Sequence, residues 1–184
     1  MLPPPSVNRK RLHQRQVRYE GHQRDDGLWD LDCYLTDAKD ADYTMRSGVR
    51  PVGSPVHDLA VRLTYKSDGE ITEVVAASNW MAYPGHCERT LPDFKRLIGL
   101  SLKSNFRLHL LEKMGAARGC THFTELLAWA PSAAIQTWAT NKADYDPESA
   151  TKPFQLDRCH ALASNSPTVA EYYPKWYKPE SLSL

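Results

Sequence analysis

The clearest pattern in the chain is a strict alternation in LWDLDCYL. Trp29, Leu31, Cys33 and Leu35 share one side, and Asp30, Asp32 and Tyr34 share the other. A period of two is what a half-buried strand requires. The preceding VRYEGHQ is a weaker strand, and RDDG between them is turn chemistry, with Gly27 free to take positive φ. HDLAVRLTY alternates again, with Leu59, Val61, Leu63 and Tyr65 on one face. KSDG then turns into EITEVVAAS. These segments predict an antiparallel meander from about residue 16 to 78.

After YPGHC the period becomes helical. PDFKRLIGLSL opens with Pro92, favoured in a first turn. SNFRLHLLEKMG offers Ser104 as a cap and Gly115 as a stop. THFTELLAWAPSAAIQTWA is the longest helical run, capped by Thr121 and predicted to kink or break at Pro131. On this run Phe123, Leu126, Leu127, Ala130, Ala134 and Trp138 form one apolar stripe. His122, Glu125, Trp129 and Gln136 fall on another face. NKADYDPESATKP is polar and rich in breakers, so it reads as a loop. Strands followed by helices indicate an α+β fold, with the N-terminal sheet packed against C-terminal helices. Residues 1–15 read as a disordered basic arm and residues 16–184 as a single α+β domain.

Composition narrows the function. The chain has 184 residues, a net charge of +1 and no long apolar run. A nucleic-acid partner and a membrane partner are not expected. The start, MLPPPSVNRKRLHQR, lacks the apolar stretch of a secretory signal, and four irregularly spaced cysteines suit reduced thiols in a cytoplasm. No Gly-rich phosphate loop, G-x-S-x-G elbow or dinucleotide fingerprint is present. No cofactor is therefore expected.

Two sets of residues carry candidate chemistry. His57 beside Asp58, and His122 beside Glu125, are candidate acid–base pairs, since a carboxylate can orient a histidine base. Arg62 and Tyr83 could orient a substrate, while Trp29, Trp80 and Trp129 could hold aromatic rings. The polar face around His122 is equally compatible with a semi-buried helix bonded to its loops. The second set is metallic. Cys120, His122, Cys159 and His160 offer two thiolates and two imidazoles, with Cys87 nearby in type, but no Cys-x-x-Cys knuckle supports zinc. Cys120, just ahead of a helix, is also a candidate reactive thiol.

Taken in order, RDDGLWD (24–30), PVHDLAVRLT (55–64), YPGHC (83–87), FKRLIGL (94–100), RGCTHFTELL (118–127) and LDRCHAL (156–162) resemble the domain-of-unknown-function family 2889. The resemblance spans about residues 16–177. It implies a bacterial, cytoplasmic protein set among genes for breaking down aromatic compounds and acyl-CoA intermediates. The functional expectation is a cofactor-independent enzyme acting on a small, lignin-derived aromatic substrate, a formaldehyde-releasing lyase by preference. The alternative is a non-catalytic protein that binds a metal, a cluster or a partner through cysteine and histidine. A homo-oligomer is compatible with either.

Overall fold

The computed structural model describes residues 1–139 and 149–179. The chain divides into two compact units, Met1–Trp138 and Ala139–Leu184.

In the first unit, β1 (His13–Gln23), β2 (Trp29–Lys39), β5 (Pro55–Tyr65) and β6 (Ile71–Trp80) form an antiparallel sheet in the order β1-β2-β5-β6. This is the expected meander. A small hairpin of β3 (Tyr43–Met45) and β4 (Gly48–Arg50) is inserted between its middle strands. β1 begins at His13, inside the segment read as an arm, and Arg15 pairs directly with Asp37 of β2. Polar β1 has no apolar alternation to reveal its start. The turn between β1 and β2 is as expected: Gly27 has φ 82°, and Asp26 accepts a hydrogen bond from the Leu28 amide.

The alternation sorts the sheet into two faces. Leu31, Cys33, Leu35, Leu59, Val61, Leu63 and Tyr65 are all buried on one core. Helices cover that core. A 3-10 helix over Cys87–Leu97 contains Pro92, where an α-helix was expected to open, and it packs on β6. Proline has no N–H to donate, so Pro92 cannot complete a regular α-helical ladder there. α1 (Phe106–Met114) follows, with Asn105 in the left-handed region as its cap rather than Ser104, and Gly115 ending it. α2 (Thr121–Ala128) is capped by Cys120, one residue before Thr121, and α3 (Ala130–Ala139) starts beside Pro131, where the break was expected.

All six residues of the predicted stripe on α2 and α3 are buried. Phe123 meets Phe94 edge-on at 4.8 Å, and Trp138 meets Tyr65 at 5.2 Å. α3 crosses the sheet at Gly21, where a Cβ would lie 1.9 Å from the Thr137 hydroxyl oxygen. Only glycine permits that approach.

In the second unit, α4 (Pro167–Tyr172) is capped by the Ser166 hydroxyl, which accepts from the Val169 amide. Asp157 accepts from Lys152 and from the amide and hydroxyl of Ser164. The stretch 141–153, read as a loop, lies mostly outside the described residues. Among the described residues no helix is long and apolar enough to cross a membrane.

Candidate active site

The apolar row on the inner face of β2 ends in a carboxylate. Asp37 follows Leu35 at the same pleat position, and it is 4% exposed. Its direct cross-strand neighbours are Arg15 of β1 and His57 of β5. The pairing slips immediately afterwards, so that Ala38 faces Pro55 and Val56 is the extra residue. A bulge at the end of a ladder changes strand direction and aims side chains locally.

A buried carboxylate is costly unless its lone pairs are filled. Here they are. Oδ1 accepts from His13 Nε2 at 2.8 Å and Arg15 Nε at 2.8 Å. Oδ2 accepts from Arg15 Nη2 at 2.9 Å and His57 Nδ1 at 3.0 Å. Burial alone would raise the Asp37 carboxyl. Hydrogen bonds from Arg15, His13 and His57, with the Arg15 charge, outweigh it and hold the group well below the usual carboxylate range.

His122 enters from the first turn of α2. Its ring lies against the His57 ring with centroids 3.9 Å apart and planes inclined by 34°. Its Nε2 is 3.9 Å from Asp37 Oδ2, and its Nδ1 is 3.8 Å from the Cys120 sulfur. The two imidazoles are pushed in opposite directions. Burial, followed by the neighbouring His122, lowers His57 against the pull of Asp37. The bond to Cys120 raises His122 against its own burial. For Cys120, burial pushes up, but bonds from His122 and from the Phe123 and His122 amides leave the thiol below its ordinary value. Neighbouring groups with divergent proton affinities can act as a base and an acid in one site.

Both acid–base pairs read from adjacency therefore change partner. His57 is oriented by Asp37, not Asp58. Asp58 points to the other face of the sheet, where it accepts from Asn79. Neighbouring strand residues face opposite ways, so His57 and Asp58 cannot share a site. His122 is partnered by Cys120, not Glu125. Glu125 accepts from Arg15 Nη1 at 2.9 Å and is more than half exposed at the rim.

The proposed substrate holders are dispersed. Arg62 lies on the outer face, paired with Asp32. Tyr83 is exposed. Trp80 carries Arg50 over its ring, and Trp129 carries Arg107. Trp29 opposes Tyr65 at the far end of β2, eight residues and roughly 26 Å from Asp37. Of the candidate metal set, Cys120 and His122 belong to the first unit. Cys159 and His160 belong to the second unit, and Cys87 lies at the start of the 3-10 helix.

The donor group that could hold a metal among the described residues is Asp37, His57 and His122, with ligand atoms within 4.8 Å of one another. It fits a cation poorly. A carboxylate has about four lone-pair positions, and those of Asp37 are taken by Arg15, His13 and His57. The Arg15 charge beside it opposes a second cation.

Asp37, Arg15 and His13 were not among the residues singled out from sequence. One signal did exist: Asp37 continues the Leu31–Cys33–Leu35 series, placing an acid at an inward strand position.

The sheet-and-helix scaffold defines an α+β protein, and its candidate site is a buried Asp–His pair with a second histidine stacked on it. Residues 13–136 match the family described as protein of unknown function, DUF2889, and the chain belongs to that family. The matched stretch stops before the LDRCHAL motif. No curated protein and no solved structure matches the chain.

Proposed function

We propose that the protein is a cofactor-independent acid–base enzyme in which His57 takes a proton and His122 returns one. The observation that carries this is the contact of the two imidazoles, 3.9 Å apart, with opposite displacements of their proton affinities. Asp37 accepts from His57 Nδ1, so Nε2 of a neutral His57 keeps its lone pair for a substrate proton. Of the two imidazoles, His122 has the stronger hold on its proton.

The substrate class proposed is a phenolic, lignin-derived aromatic dimer with a primary alcohol one carbon from the benzylic position. The catabolic setting implied by the family resemblance supports it. His57 removes the alcohol proton, the carbon–carbon bond breaks, and formaldehyde leaves. The released electron pair forms the stilbene double bond as the benzylic carbon–oxygen bond breaks. His122 protonates the departing oxygen. A cytoplasmic location suits such catabolism.

The test is incubation of purified protein, without added cofactor, with phenolic dimers bearing the alcohol. Formaldehyde and stilbene absorbance should rise together. No formaldehyde from any such dimer would sink the lyase reading, and full activity in His57→Gln would sink the base. Elemental analysis tests the alternative of a non-catalytic metal-binding protein: stoichiometric metal in the purified protein that is lost in Cys120→Ala would favour it.

A further inference from the structure

The acid–base reading leaves the thiol beside His122 without a role. Cys120 is half-buried and caps α2, and its sulfur is 3.8 Å from His122 Nδ1. The amides of His122 and Phe123 add their donors at that position. The charged and titratable groups facing the pair are Arg15 from β1, Asp37 from β2 and His57 from β5. Arg15 is committed to Asp37 and Glu125, and Asp37 is saturated, so neither removes the imidazole from the sulfur. A thiol paired with an imidazole at a helix start is the arrangement that generates a nucleophilic thiolate.

We propose that Cys120 is a nucleophile that, with His122 as its proton partner, forms a covalent thioether with electron-poor conjugated carbonyl compounds. The sulfur bonds to the β-carbon and the alkene pair moves onto the carbonyl as an enolate. The His122 imidazolium then delivers its proton to the α-carbon, ending neutral. Atoms and charges balance with no further reactant. A quinone methide is a related electrophile. There the sulfur bonds to the exocyclic carbon, the electron pair moves onto the ring oxygen as a phenolate, and the imidazolium proton goes to that oxygen. A phenolic ring that expels a benzylic oxygen gives a quinone methide. That link rests on the reaction proposed above, whereas the thiol chemistry stands on the Cys120–His122 pair alone.

The other cysteines calibrate the test. Cys33 is fully buried, and burial pushes its thiol far up. Cys159 is exposed. The intact native protein is treated with limiting N-ethylmaleimide at about pH 6.5, two units below an ordinary thiol near 8.5. Labelled peptides are then quantified by mass. Cys120 should label at least about tenfold faster than Cys159, with a midpoint below the ordinary thiol value. In His122→Asn the Cys120 rate should fall by about tenfold or more, with Cys159 unchanged. Labelling of Cys159 first, a Cys120 midpoint at or above the ordinary value, or an unchanged rate in a folded His122→Asn would each overturn the proposal. His57→Gln separates the two readings. It should lower turnover by about 10²–10⁴-fold yet leave Cys120 labelling in place, and neither readout depends on the other.

Discussion

Two buried aspartates on the same strand have different fates. Asp32 and Asp37 are 6% and 4% exposed, and each is gripped by two nitrogens of an arginine from a neighbouring strand. Asp32 faces outward. Its arginine, Arg62, is 53% exposed, and its other partner is the Tyr34 hydroxyl. Asp37 faces the helices, where His13, His57 and His122 gather. The arginine–carboxylate pair is common to both sites and is a device for burying a charge. What makes one site chemical is the histidines that the helix-covered face collects. A residue's side of the pleat, rather than its type, decides which carboxylate orients a base.

The largest expected effect tests this directly. His57→Gln should lower the proposed turnover by about 10²–10⁴-fold, while Arg62→Gln leaves it unchanged. Equal losses in both variants would erase the distinction between the faces. Stability should separate the two next. Asp37→Ala leaves Arg15 short of its partner in a covered site and should cost about 3 kcal/mol in denaturant unfolding. Asp32→Ala should cost at most about 1 kcal/mol, because water screens the half-exposed Arg62.

Acid should expose the same difference with a smaller amplitude. Asp37 has a depressed folded pKa, so its contribution is fully present above the unfolded value, about 3.9, and is lost as pH falls through the folded one. Melting temperature should decline below about pH 4, and Asp37→Asn should flatten that decline more than Asp32→Asn. A steeper acid slope in Asp37→Asn would contradict the sign. The smallest effect belongs to the start of the chain. Removing residues 1–10 should move the melting temperature by less than a few degrees, since the first fixed side-chain contact is the exposed Arg11–Asp40 pair. A larger drop would mean that the segment docks.

Much of the scaffold was legible because periodicity reports burial. Inward positions of β2 and β5 and the stripe from Phe123 to Trp138 are local patterns, and each is buried as its period requires. Pro131 marked a helix break through its missing N–H. His57 and His122 could be singled out as candidates, but their partners could not. Adjacency in sequence suggested Asp58 and Glu125. The pleat turns Asp58 away from His57, and Arg15 draws Glu125 to the rim.

The sequence by itself determined the two-faced sheet, the helical cover and the family, since each follows from local period or ordered motif. Only the tertiary structure decided the site. Strand pairing set Arg15, Asp37 and His57 in one row across three strands, and packing of α2 brought His122 and Cys120 onto it. Those residues lie up to about a hundred positions apart, and their meeting depends on register and helix docking, which no local pattern encodes.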